Sequence, residues 1–150
     1  MKINLIIPTC SSSRTPLLIE TIESIQSGSY KDVHIVVVAD GNQKIFREVT
    51  AKGFDNLSIT QNVIRRDWVF SINRVLKEFI SEYYIYASDD LIFPKDCIKT
   101  AVKNLQIYFP YRDGVVGIGR KGRSAFGLFG NKFVNRFPKR EVFCPDFTHF

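Results

Sequence analysis

Residues 83–94 read YYIYASDDLIFP, an apolar run that stops abruptly at two adjacent carboxylates, Asp89 and Asp90, before aliphatic residues resume. Tyr83, Tyr84, Ile85, Tyr86 and Ala87 have the aromatic and β-branched composition of a buried strand. Pro94 and Asp96 then open a helical pattern, which leaves the acid pair at the strand's carboxyl end. In open α/β sheets that edge is where ligands bind, because the strand-to-helix loops enclose a crevice there. Two neighbouring carboxylates repel, and a cation beside them relieves the repulsion. The plainer reading of the pair is a helix-capping turn.

Working upstream, Trp68, Ile72, Val75, Leu76, Phe79 and Ile80 fall on one helical face, with Asp67 placed as the cap and Arg65 and Arg66 just before the N-terminus. Basic residues at such a position can add positive charge near phosphates, and a solvated helix entry explains them equally well. Val33–Ala39 is nearly all β-branched and reads as a central strand, ended by the turn formers Asp40, Gly41 and Asn42. A short helix is expected over Lys44–Lys52 and a strand over Leu57–Gln61. At the start, Lys2–Pro8 reads as a first buried strand, Thr9–Arg14 as its loop, and Thr15 with Pro16 as the opening of a helix that Gly28 ends. Downstream, Asp96–Phe109 carries another helical face and Gly114–Gly119 a fifth strand. A hairpin is expected near Phe126–Phe129, with irregular structure after it.

Strands alternating with helices predict an α/β fold: a three-layer α/β/α sandwich with a mainly parallel, Rossmann-like sheet. One domain is expected over residues 1–150, with its least regular part from about residue 120. Thr9, Asp40 and the Asp89/Asp90 pair, far apart in sequence, all fall at carboxyl ends of predicted strands and so line one crevice.

The bulk composition narrows the class. No run of roughly eighteen apolar residues exists to span a membrane, and MKINLIIPTC is broken too soon by Pro8 to be a signal peptide, so a cytoplasmic protein is expected. Cys10, Cys97 and Cys144 lack metal-site spacing and read as reduced thiols. The net charge of +6 is concentrated at the C-terminal end. Arg112, Arg120, Lys121, Arg123, Lys132, Arg136, Lys139 and Arg140 stand there against only Asp113, Glu141 and Asp146. Such a bias suits an anionic ligand, a phosphate-bearing substrate or peripheral contact with an acidic membrane, and a solvated basic face equally. No motif points to nucleic acid. His34, in an apolar strand, reads as structural, and Trp68 as core rather than as an acceptor platform.

In order and spacing, IIPTC, VVVADGN, the helix carrying Asn73 and YIYASDDLIFP together resemble the nucleotide-sugar half of the family 2 glycosyltransferases, which have the GT-A fold. The resemblance implies a transferase moving a sugar from a nucleotide-diphosphate-sugar donor, a UDP-sugar first among them, to a saccharide or lipid-linked acceptor, with inversion. It places Thr9 against the nucleotide base, Asp40 on the base or ribose, Asp89 near the ribose and sugar, and Asp90 on a Mn²⁺ or Mg²⁺ ion that holds the diphosphate. Arg65 or Arg66 would face the phosphates. Ser88 stands where the family's Asp-x-Asp motif has its first acid, and Ala39 where Asp-Asp-Gly-Ser begins. For the general base that deprotonates the acceptor, Asp146 is the candidate and His149 the alternative. Family catalytic domains are longer, so the resemblance also implies a chain that ends close to its base and acceptor region. A non-catalytic nucleotide-sugar-binding domain is the second reading. A nucleotidyltransferase is the third, disfavoured because PTCSSSRTP has no glycine for a phosphate loop.

Overall fold

The computed structural model describes residues 2–120 and 123–144. Its elements alternate from the start: β1 (Ile3–Thr9), a 3-10 turn (Ser12–Arg14), α1 (Thr15–Gln26), β2 (Val33–Asp40), α2 (Gln43–Lys52), β3 (Leu57–Asn62), α3 (Trp68–Glu78), β4 (Tyr83–Tyr86) and α4 (Cys97–Tyr108). Two further strands, β5 (Val115–Arg120) and β6 (Arg123–Gly130), precede a one-turn helix, α5 (Asn131–Val134), and a 3-10 turn at Pro138–Arg140.

Among the described residues the strands form one sheet in the order β3-β2-β1-β4-β6-β5. The first four are mutually parallel, with Thr9 opposite Ala39 and Ile6 opposite Tyr86. β6 runs antiparallel to both β4 and β5. The chain therefore winds outward from β1 through β2 to β3, then returns to place β4 on the other side of β1. That reversal makes the gap between the carboxyl ends of β1 and β4 the topological switch point, where α/β sheets open a crevice.

Central strands buried on both faces favour near-continuous apolar runs, and β1 and β2 supply them between Leu5 and Pro8 and between Ile35 and Ala39. Leu5, Ile7, Ile35, Val37 and Ile85 point to one face, against Leu18, Ile22, Ile45, Ile98 and Leu105 of α1, α2 and α4. Ile6, Val36, Val38 and Tyr84 point to the other, against Ile72, Val75 and Leu76 of α3 and Val134 of α5. Helices thus cover both faces, giving the three layers expected.

The expectation of a hairpin at Phe126–Phe129 is corrected: those residues lie inside β6, and the reversal falls between β5 and β6. Gly127 is not a turn residue but sits opposite Gly117 in the ladder, where an added Cβ would stand 3.2 Å from Val115 Cγ1. The segment after β6 is also more ordered than expected. Arg140 donates to Tyr84 Oη at 2.6 Å and to the Leu76 carbonyl oxygen at 2.6 Å, tying the last turn to the core. The Asn73 amide donates to the Phe143 carbonyl oxygen at 2.7 Å and accepts from the Phe143 N–H at 3.2 Å, so one side chain completes both main-chain groups of that residue.

Candidate functional site

Thr9 ends β1, and its side chain points across the switch point. Its hydroxyl donates to Asp89 Oδ2 at 2.6 Å, and both residues are buried, at 4% and 5% exposure. A buried carboxylate is tolerated only when its lone pairs are filled. The second oxygen, Oδ1, accepts from Arg14 Nε at 2.8 Å and from Arg14 Nη2 at 2.7 Å. The same Nη2 lies 2.8 Å from Asp90 Oδ2, so one guanidinium bridges the two acids.

The acids differ in environment. The side chain of Asp90 is 43% exposed where that of Asp89 is 8% exposed, which puts Asp90 at the crevice surface and Asp89 in its floor. A hydrogen bond from Ser88, followed by the bond from Arg14, holds the Asp90 carboxyl below the usual carboxylate range. The same ion pairs raise the Arg14 guanidinium above its already high value, its hydrogen bond to Asp89 contributing most. Ser88 thus donates to Asp90 from the position where the Asp-x-Asp pattern has an acid.

Asp40, at the end of β2, is also buried. Its Oδ1 accepts from Asn62 Nδ2 at 2.8 Å and from the Arg66 N–H at 2.9 Å. Asp40 therefore organises the loop between β3 and α3 by binding its main chain. Gly41 makes that possible: its φ is +67°, and a Cβ there would sit 2.7 Å from the Arg65 nitrogen. The next residue, Asn42, caps α2 through the Lys44 and Ile45 N–H groups and donates to the Cys10 carbonyl oxygen at 3.1 Å, joining the loops after β1 and β2.

Of the residues expected from sequence, the structure joins Thr9, Asp89 and Asp90 into one cluster and puts Asp40 at the same sheet edge. It brings the main-chain N–H of Arg66, rather than its guanidinium group, to Asp40, and sets the Arg65 main chain against Gly41. The Arg66 guanidinium lies 5.1 Å from the centre of the Phe70 ring. Both arginines line a cavity of about 560 Å³ along the outer side of α3, shared with Phe70, Arg74 and Lys77. Asp146, His149 and Lys121 lie outside the described residues. Three polar residues that the sequence reading missed complete the site. Arg14 bridges the acids. Asn62 is buried between Asp40 and Ser71, and Arg74 fixes Asn62 through its Oδ1 at 2.6 Å. Arg14 carried a weak signal, a lone cation in the first strand's loop. Asn62 and Arg74 carried none.

A second cavity, of about 400 Å³, opens beside the acid pair between Pro8, Trp68, Ile72, Tyr86, Ala87, Ser88 and Phe126. Trp68 packs with Tyr86 at 6.2 Å and edge-on to Phe143 at 5.2 Å, so it is half-buried structure and cavity wall at once.

Among the described residues no group of three His, Cys, Asp or Glu side chains forms a self-sufficient metal site. The oxygen donors at hand, an exposed and ionised Asp90 beside Asp89, nevertheless suit a hard divalent ion. Such ions are commonly held by one or two carboxylates, with substrate phosphates and water completing the shell.

A crevice at the β1/β4 switch point, floored by a bridged acid pair, defines an α/β protein of the GT-A type. The chain belongs to glycosyl transferase family 2, whose sequence profile matches residues 4–141. It is 29% identical over 143 residues to a Bacillus subtilis (strain 168) protein provisionally named glycosyltransferase EpsE, covering 92% of this chain and 50% of that protein. Its fold matches the mannosyltransferase PcManGT of Pyrobaculum calidifontis, solved with GDP-Man and Mn²⁺, at a TM-score of 0.72 and 20% identity, over 92% of this chain and 48% of the other. It also matches S. aureus TarS 1-349 in complex with UDP, at a TM-score of 0.70 and 17% identity, over 93% of this chain and 51% of the other. The chain thus spans about half the length of these relatives. Among the described residues no helix is long and apolar enough to cross a membrane.

Proposed function

We propose that this chain is the donor-binding part of an inverting glycosyltransferase that takes a nucleoside-diphosphate sugar, a UDP-sugar first, and delivers the sugar to a saccharide or lipid-linked acceptor. The observation that carries the reading is the cross-strand cluster of Thr9, Asp89 and Asp90 at the switch point, with Asp40 on the adjoining strand end. Relatives solved with GDP-Man and Mn²⁺, and with UDP, support the choice of ligand.

In this reading Thr9 and Asp40 border the nucleoside, Asp89 faces the ribose and sugar, and Asp90 holds Mn²⁺ or Mg²⁺. That ion, when bound, supplies Lewis-acid stabilisation of the charge that grows on the departing diphosphate. Arg65 and Arg66, on the loop that Asp40 organises, add positive potential at the mouth. The largely apolar cavity beside Ser88 offers a surface next to the acids on which the non-polar face of a sugar can rest. Asp146, with His149 as the alternative, is assigned the acceptor's proton.

The test is a thermal-shift panel of UDP, GDP and their sugars with and without Mn²⁺. UDP with Mn²⁺ should raise the melting temperature, and Asp90→Asn should abolish the Mn²⁺-dependent part. A variant that keeps the full shift refutes the metal assignment, and a flat response to every nucleotide refutes the donor site. Acceptor-dependent sugar transfer separates an enzyme from a binding module.

A further inference from the structure

We infer that Arg14 is a tethered counter-cation for the acid pair, one that yields Asp90 to a divalent ion and turns to the diphosphate of the donor. The inference rests on the proposed donor site and assigns a positioning role to a residue outside the metal and nucleotide contacts named there.

Charge and geometry carry it. Asp89 and Asp90 are adjacent in the chain, and their oxygens converge on a single nitrogen, Arg14 Nη2, at 2.7 and 2.8 Å. That nitrogen occupies the place between the acids that a cation fills most favourably. The cluster then carries one net negative charge rather than two, so a divalent ion arriving at Asp90 meets both a weaker field and a competitor for the same oxygen.

The two halves of the bridge are unequal. Asp89 is buried and retains the Thr9 hydroxyl on Oδ2 whatever Arg14 does. Asp90 and Arg14 are both partly exposed, with side chains at 43% and 39%, so water can replace the bond between them at little cost. The contact to Asp90 is therefore the one that exchanges. An ion with twice the charge and hard oxygen preference wins Asp90 when phosphate oxygens complete its shell. The displaced guanidinium, whose planar fork of N–H donors matches phosphate, remains on the short loop before α1, within the same crevice. Ion and nucleotide thus bind cooperatively: each supplies what the other's arrival removes.

The experiment measures Mn²⁺ affinity from the free-ion electron paramagnetic resonance signal, on the full chain, without nucleotide and then with UDP. Arg14→Met should bind Mn²⁺ alone about three- to fivefold more tightly than the parent, the scale of one partly exposed ion pair, and should bind UDP in the presence of Mn²⁺ more weakly. Unchanged or weaker binding of Mn²⁺ alone overturns the exchange, because a residue that only braces the loop would not tighten ion binding when removed. Unchanged UDP binding overturns the turn to the diphosphate. Circular dichroism checks folding. Should the Met variant fail to fold, Arg14→Gln, which keeps a polar N–H donor on a shorter chain but removes the positive charge, gives the same readout: tighter Mn²⁺ binding supports the exchange and equal binding overturns it. Asp90→Asn separates the two levels. Loss of the ion in both backgrounds assigns it to Asp90, whereas retention refutes the metal assignment itself and the exchange with it.

Discussion

The hydroxyl of Thr9 shows how much can rest on one oxygen. Valine has nearly the same shape, so Thr9→Val removes only the donor to Asp89 and leaves a buried carboxylate with one acceptor site unfilled. That should cost about 1–3 kcal/mol in urea unfolding, and UDP binding should weaken with it. His34 offers a second test. Burial, reinforced by the charge of Lys2, lowers its pKa from the ordinary 6.5, and its Nε2 lies 2.9 Å from Ser58 Oγ. A group with a depressed folded-state pKa takes up its proton in the unfolded chain first. Stability is therefore intact above pH 6.5 and declines as the pH falls through the lowered value. His34→Gln should flatten that decline in melting curves between pH 7 and 5; a slope equal to the parent's would show that other groups set it.

At the scale of elements, the decisive contacts connect segments distant in sequence. Asn73, on the inner side of α3, closes both hydrogen bonds of Phe143, seventy residues later. Asn73→Ala should destabilise the protein by about 1–3 kcal/mol. It should also raise amide exchange over 141–144 well before the β1–β4 region opens; uniform acceleration would mean that the segment is not separately held. The same long range explains what the sequence revealed. β1, β2, α3 and β4 were legible because each has its own period and cap, Asp67 accepting from the Phe70 N–H at 2.7 Å as expected. The acid pair was legible because charge after a buried strand is conspicuous. Arg14 was barely so, because its partners lie 75 residues away and its place as a lone cation in the first strand's loop is all that sets it apart locally. β6 was misread because Gly127 looks like a turn when its cross-strand neighbour, Gly117, is unknown.

Across the whole molecule, the site straddles β1 and β4, and their pairing brings together residues eighty apart in the chain. A ligand there stabilises the global fold. At a hundred times its dissociation constant, UDP with Mn²⁺ should add about 2.7 kcal/mol, raising the melting temperature by roughly 5–10 °C for a chain of this size. A smaller shift at verified saturation would mean that the nucleotide also binds a partly unfolded form. The basic C-terminal region belongs to the same architecture. Arg112 pairs with Glu82, Arg136 with Asp113, and Arg140 with the buried Tyr84 hydroxyl, so three of its cations hold the stretch from 112 to 140 together and against the sheet. Trp68 gives that closure an optical signature, for it is the protein's single tryptophan and sits between Tyr86 and Phe143. Undocking of the segment around Phe143 wets the indole and shifts its fluorescence to the red, with no label to introduce and no second fluorophore of its kind to subtract.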